Sequence, residues 1–353
     1  MTVKKNVSLF LLMIITLVLI ACQNPGGDPI TPTDPAEEIV PTNTFLPTEL
    51  PQPTATDTPK TILFYTPETM IDTVMDEVQA WLADWAGEKG YVLETRTRLD
   101  TADIPAETLA VVILNESGVD VNTLAPQHPQ TRFIVKRTIR IENPPDNVVV
   151  LLADDNTLNF AAGFISILIA PDWRLGALLP WNDEIRGADT LEAFLNGSAY
   201  YCGRCASTYM PVALFPVTSS LSIESAPETW IEAINTLDNQ YYLYTVYVSP
   251  EAASQQLYQH LVTLNVTVVG AEKPEGVEGL LWAGSIHQDT GAALTENWEA
   301  IINDSLESNT ILVPVSLSEV NEEYLSPGRM RLFDEMMDAL LDGWISPLSP
   351  DYP

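Results

Sequence analysis

From Lys60 onward, short unbroken apolar runs alternate with segments of helical period, and few folds can absorb such an alternation. The run 62–65 (ILFY) is followed by a helix-period segment over 70–86, with apolar Ile71, Val74, Val78, Trp81, Leu82 and Trp85 on one stripe and a stop at Gly87 and Gly90. Further strands are expected over 91–93, 109–114 (LAVVIL), 132–135 and 147–152 (NVVVLL), and a strongly apolar helix over 159–170 is closed by Pro171. The alternation then restarts, with strands expected over 175–179, 212–217, 241–248, 266–269, 280–283 and 310–315. Helices are expected over 188–198, 227–237, 251–264, 291–303 and 328–341. Apolar runs without polar alternation mark strands buried on both faces of a parallel sheet. Two successive blocks of about a hundred residues each fit two doubly wound α/β lobes better than one very wide sheet.

Charge removes several classes of function. The 353 residues include 16 Lys+Arg against 48 Asp+Glu, a formal net charge of −32. A surface this acidic repels phosphate backbones and anionic headgroups, so neither nucleic-acid binding nor electrostatic membrane docking is expected. Lys4 and Lys5 belong to an acid-free leader, which leaves 14 basic against 48 acidic residues after it. The leader has a basic start over 1–5 and an apolar stretch over 7–20, too short to span a bilayer but ordered as a secretory signal. It ends in Leu19-Ile20-Ala21-Cys22, which resembles the lipobox of bacterial lipoproteins. That resemblance implies cleavage before Cys22, diacylglycerol on its thiol, a fatty acid on its amine, and a chain held on the outer side of the cell membrane. Residues 23–60 follow, with nine Pro and eight Thr in 38 positions and no apolar period. They read as an extended linker that lifts the folded part off the bilayer, with Thr-linked glycosylation or a proline-reading partner as the other readings.

A second resemblance rests on the stretch 147–197, which reads N-V-V-V-L-L-A-D-D-N-T-L-N-F-A-A-G, then R-L-G-A-L-L-P-W and L-E-A-F-L-N-G. This order of strand, F-x-A-G helix, glycine-bearing strand and F-x-x-G helix is similar to the basic membrane lipoprotein family of ABC-transporter substrate-binding proteins, on Phe160, Ala162, Gly163, Gly176, Phe194 and Gly197. The segments 266–272, 282–289 and 325–329 agree loosely. The resemblance implies a type I periplasmic-binding fold, two lobes joined by three crossings, with a small molecule buried on hinge closure and delivered to ABC permease subunits. It places the N-terminal lobe at 61–152 with 284–312, and the C-terminal lobe at 153–283 with 313–353. Two departures stand out. The Asp-x-Ser-Phe-Asn segment of nucleoside-binding members is Thr66-Pro67-Glu68-Thr69-Met70 here, and a Ser-x-x-Lys becomes Ser285-Ile286-His287-Gln288. Glu272, in Gly270-Ala271-Glu272, and Ser285 are the contacts the resemblance carries over.

Ligands of open α/β sheets sit beyond the carboxyl ends of strands. That rule selects Tyr65, Thr66 and Glu68 after the first strand, and Asn115, Glu116 and Ser117 after the third. It adds Trp181, Asn182 and Asp183 after the first strand of the second lobe, and Glu272, His287 and Asp289 later. A flat ring beside amide and carboxylate edges suits a heterocycle, a sugar or a cationic solute and disfavours a phosphorylated one. Trp181 is the foremost of these, with packing at a lobe edge as its other reading.

Asp154-Asp155-Asn156 lacks the spacing of a calcium loop and reads as a cap and hinge before a helix starting near Leu158, with metal and ligand contact as lesser readings. Cys202-Gly203-Arg204-Cys205 follows a helix instead of preceding one, so the helix dipole opposes a reactive thiolate. A local disulfide is expected, ahead of redox chemistry or a metal site. No nucleophile elbow, zinc motif or phosphate loop occurs, and the three histidines (128, 260 and 287) are dispersed, so neither catalysis, nor a cofactor, nor a metal is expected. The expected function is capture of a nucleoside-like or other neutral or cationic solute for an ABC transporter. The other readings are a ligand-sensing lipoprotein acting with a membrane receptor kinase, and a surface scaffold that binds nothing.

Overall fold

The computed structural model of the chain describes residues 59–66, 73–100, 103–114, 119–181 and 187–349. The expected signal segment, Cys22 and the linker up to residue 58 lie outside the described residues, as do Glu68, Asn115, Glu116, Asn182 and Asp183.

The N-lobe begins with β1 (Thr61–Tyr65), α1 (Thr73–Lys89), β2 (Val92–Arg96), β3 (Thr108–Ile113), α2 (Val121–Leu124), β4 (Arg132–Arg137) and β5 (Val148–Leu152). The chain then enters the C-lobe through α3 (Asp155–Ile169), β6 (Leu175–Trp181), α4 (Gly187–Cys202), β7 (Val217–Ser222) and α5 (Pro227–Tyr241). There β8 (Thr245–Val248), α6 (Gln255–Leu264), β9 (Thr267–Gly270) and β10 (Leu281–Gln288) follow. It returns to the N-lobe for α7 (Thr290–Ile302) and β11 (Thr310–Leu312), and ends in the C-lobe with β12 (Val315–Ser318) and α8 (Pro327–Leu341). The N-lobe sheet has the order β11-β5-β4-β3-β1-β2, with every pairing parallel. The C-lobe sheet has the order β12-β10-β9-β8-β6-β7 and is parallel except for β12 on β10.

The continuous apolar runs follow from two-sided burial. In the N-lobe, Ile62, Phe64, Val112, Ile134 and Leu151 enter one core with Leu82, Leu294 and Trp298 of α1 and α7. Their chain neighbours Leu63, Val111, Ile113, Phe133 and Val150 enter another with Val121 and Leu124 of α2. Each strand thus alternates between two apolar compartments instead of between core and water.

The family-like glycines are packing devices. A Cβ on Gly163 would lie 2.1 Å from the Phe194 carbonyl oxygen, and one on Gly197 would lie 1.9 Å from that of Phe160. Each glycine therefore seats the backbone of the opposite helix, and α3 and α4 run in close contact. Gly176 holds the same relation to Leu243, whose Cδ1 would meet a Cβ at 2.4 Å.

Several sequence expectations are corrected. The strand expected over 280–283 continues to Gln288, because Gly284 and Ser285 interrupt the apolar pattern without interrupting the ladder. Residues 284–288 therefore belong to the C-lobe sheet, and the N-lobe resumes only after Gln288 instead of at 284. The run 310–315 is two strands in different sheets, since Pro314 offers no amide to a ladder and the chain crosses lobes there. Of the run 212–217, residues 212–216 are loop after Pro211, and Val217 only opens β7, the polar edge strand. In 241–248, α5 extends to Tyr241 and only Thr245–Val248 is strand.

Candidate functional site

Both sheets point their carboxyl ends toward the crossings, and two of the crossings end on an aspartate. After β5, Asp154 accepts hydrogen bonds from the amides of Asn156 and Thr157 (3.2 Å each) and from the Thr157 hydroxyl (2.6 Å), capping α3. The helix begins at Asp155, three residues earlier than the apolar pattern suggested. After β10, Asp289 accepts from the Ala292 amide at 2.8 Å and caps α7. The three crossing strands are stitched by single backbone bonds: the Ala153 amide to the Arg137 carbonyl, the Asp289 amide to Pro314, and the Val313 amide to Leu152. Three thin connections, each ending or passing beside an ordered strand end, have the form of a hinge.

A cavity of about 280 Å³ opens at the carboxyl end of the C-lobe sheet, lined by Asp155, Leu158 and Asn159 of α3, Pro180 of β6, Thr190 of α4 and Tyr247 of β8, with Ile223, Pro250, Glu251 and Gln288 around them. Its volume is at the lower end of small-molecule sites. Among the described residues, the lining holds two carboxylates and no Lys or Arg. Asp155 lies in the first turn of α3, where the helix dipole favours a negative charge. Burial, reinforced by the charge of Glu251, pushes the Tyr247 phenol well above its ordinary value, so it is protonated at any physiological pH. The Gln288 amide nitrogen is buried without a hydrogen-bond partner among the described residues. An orphan buried donor costs about 1–3 kcal/mol, which a carbonyl, hydroxyl or ring nitrogen of a ligand would recover. Such a lining accepts a neutral or cationic, hydrogen-bonding solute and repels an anion.

The residues selected from the sequence are not gathered there. Tyr65 lines a separate N-lobe cavity of about 510 Å³ with Arg98, Asp100 and Asp120. Asp120 is occupied as the cap of α2, and the Thr123 hydroxyl it accepts holds its carboxyl below the usual range. Glu272 is exposed beside a third cavity with Tyr258, whose phenol is raised by burial and by Glu272. Trp181 ends β6 next to the cavity residue Pro180, 53% exposed, its ring outside the lining. The Ser285 hydroxyl donates to Glu319 at 2.5 Å, and the same carboxylate oxygen accepts from the Lys273 amide. Ser285 is therefore a buried brace between β9 and β12 and lies outside the cavity lining. His287 is half-buried in β10 opposite Ser316, outside the lining. Asp289 spends its carboxylate on the α7 cap, which replaces the expected ligand contact. Cys202, the last residue of α4, is joined to Cys205, with Cα atoms 5.4 Å apart. Among the described residues, no three His, Cys, Asp or Glu side chains gather as a metal would require.

Asn159, Thr190, Tyr247, Glu251 and Gln288 were missed. Glu251 was within reach of the strand-end rule, three residues after β8. Gln288 was hidden by the early stop assigned to β10, and Asn159 and Thr190 face the cavity from helices, which that rule does not cover.

No family model matches this chain, and no curated protein matches it in sequence. Solved structures do match. An ABC transporter system solute-binding protein from Aeropyrum pernix K1 superposes with a TM-score of 0.53 at 14% identity, over 84% of this chain and 94% of that one. One from Conexibacter woesei DSM 14684 gives 0.57 at 13% identity, over 82% and 98%. A transcriptional activator of the comK gene from Bacillus halodurans gives 0.56 at 10% identity, over 82% and 99%. At these identities the likeness establishes the fold: two α/β lobes of the type I periplasmic-binding kind. Solute-binding proteins and a transcriptional activator share it, so the use made of the fold must be argued from the site.

Proposed function

We propose that this chain is a solute-binding lipoprotein, tethered outside the cell membrane through lipid on Cys22, that captures a neutral or cationic small molecule between its lobes and hands it to an ABC permease. The observation that carries this reading is the 280 Å³ cavity at the strand ends of the C-lobe, set beside Asp-capped crossings; among the described residues it holds two carboxylates, a protonated Tyr247, a Gln288 amide without a partner and no basic side chain. A ligand seated there favours the closed hinge, a population shift that a permease can read. The solute-binding neighbours support the reading, and so does the resemblance to basic membrane lipoproteins; a nucleoside-like ligand is its narrower form.

Native mass spectrometry of the purified protein should show a co-purifying small molecule, and nucleosides, sugars, amino acids and polyamines should be ranked by thermal shift. With that ligand, calorimetry should find affinity lowered at least tenfold, about 1.4 kcal/mol, by Glu251→Gln for a cation and by Gln288→Ala for any polar solute. Trp181→Ala should weaken binding as well if the ring closes over the ligand. Repeated absence of a bound molecule, with no thermal shift from any of the four classes, would overturn solute capture.

A further inference from the structure

A second cavity, of about 430 Å³, opens at the same carboxyl edge of the C-lobe sheet and shares the wall residue Pro250 with the first. The loops after β8 and β9 and the first turn of α6 line it, with Gln255, Tyr258, Glu272, Lys273 and Glu275 as polar members. Tyr258 is only 4% exposed, yet its hydroxyl has no hydrogen-bond partner among the described residues. Its ring packs edge-on against Trp282, with 5.9 Å between centroids. Gly270 keeps the hydroxyl uncovered, since a Cβ there would lie 3.3 Å from it. Two neighbouring groups are already spent: the Ser254 hydroxyl accepts from the Leu257 amide to cap α6, and the Lys273 amide donates to Glu319. The second bond fixes the segment that carries Glu272.

The two cavities are built alike. Each sets a buried phenol among carboxylates, Tyr247 with Asp155 and Glu251 in one, Tyr258 with Glu272 and Glu275 in the other. Burial first and then a cavity acid raise both phenols, Glu251 acting on Tyr247 and Glu272 on Tyr258. Each phenol therefore keeps its proton and offers its oxygen as an acceptor. Among the described residues, four carboxylates and one ammonium, that of Lys273, line the pair, an excess of three negative charges. Lys273 and the amino end of α6 oppose a cation in the second cavity with about one and a half charges, fewer than its two carboxylates supply. Size points to joint use. Ligand sites span roughly 300–1,000 Å³, which the first cavity alone falls just short of and the two together reach.

We propose that the captured solute is an elongated dication, a linear diamine or polyamine, lying across Pro250 with one ammonium beside Glu251 and another between Glu272 and the Tyr258 hydroxyl. The inference rests on the solute-capture reading above and narrows it. An ammonium donates three hydrogen bonds and accepts none, so it can meet a carboxylate and the phenol oxygen together. A neutral hydroxyl would meet the phenol but leave the excess negative charge of the lining uncompensated.

The test is calorimetry on the full chain at physiological ionic strength, with α,ω-diamines of increasing length and the monoamine of each length. One diamine length should bind about a hundredfold tighter than its monoamine, because the second ammonium engages at high local concentration. Tyr258→Phe, which removes only the hydroxyl, should weaken that diamine about tenfold, and Glu272→Gln, at an exposed position, about as much. Neither should shift monoamine affinity more than about twofold, since a lone ammonium favours the first cavity, whose described lining has no basic side chain. The proposal is overturned if diamines bind no tighter than monoamines, or if affinity rises with charge alone and shows no preferred length. It is equally overturned if either variant weakens both classes alike or weakens neither. Binding of a nucleoside, sugar or amino acid with none of any diamine would overturn it and leave solute capture standing; binding of no class at all would overturn both.

Discussion

The C-lobe sheet ends in two surfaces of opposite chemistry. At the carboxyl ends, strands stop short of a polar cavity holding Asp155 and Glu251, and the chain leaves through the three crossings. At the amino ends, the acid-free loop 203–216 is fastened by a buried arginine, a disulfide and several side chain–backbone bonds. The two ends are fastened differently: the crossings are tied by backbone bonds and helix caps, and the loop by a buried arginine and a disulfide. The pair α3–α4 joins the two, since α3 starts at the cavity with Asp155 and α4 finishes at the loop with Cys202.

The largest test of this division loosens that shared rod. Gly197→Ala gains about 1 kcal/mol of helix propensity, but its methyl meets the Phe160 carbonyl oxygen at 1.9 Å. Backbone yields less readily than a side chain, so the clash wins and a net loss of about 3 kcal/mol is expected. Urea unfolding should show it, with ligand binding and loop protection both impaired. An effect on one end alone would mean that the ends are not coupled through α3 and α4.

Next in size is Arg174→Met, which should act on the amino end first. It leaves three backbone carbonyls without their charged donor and Asp172 with only the Thr208 and Tyr209 amides. The expected cost is about 3 kcal/mol or somewhat less. Amide exchange in 206–214 should accelerate at least tenfold, while the affinity of the cavity for its ligand changes less than twofold. Equal damage to both would erase the distinction between the two ends.

How much of this was legible in the sequence follows the same division. The fold was open to reading because two-sided burial writes itself as unbroken apolar runs, as in Val148–Leu152, and because glycines such as Gly163 and Gly197 mark close helix contact. Errors fell where a strand carries small polar residues that another element satisfies. Ser285 is quieted by Glu319 from 34 residues away, so β10 looked four residues long instead of eight. The site was less legible, because Asn159, Thr190 and Glu251 converge from three different elements and share no spacing. Asp289 was selected by position and proved to be a cap, a role that competes with ligand contact for the same oxygens. Residues 212–217 were read as a strand because Val212, Ala213, Leu214 and Phe215 look like one; only Pro211 and Pro216 hint that this apolar run lies in a loop.

The smallest expected effect is the response of the amino end to acid. The Thr208 amide bond, with further bonds from Tyr209 and Arg174, holds the Asp172 carboxyl below the usual carboxylate range. A group whose folded value is depressed lends stability that is full above its unfolded value and lost as pH falls through the folded one. Acidification from neutrality should therefore leave the loop intact until below the ordinary range of an aspartate, and then release it. Amide exchange at Thr208 and Tyr209, corrected for intrinsic rate, should rise with acid in the wild type and be raised already near neutrality in Asp172→Asn. Identical pH curves for the two proteins would show that the carboxylate charge does not fasten the loop, and would assign its rigidity to Arg174 and the disulfide alone.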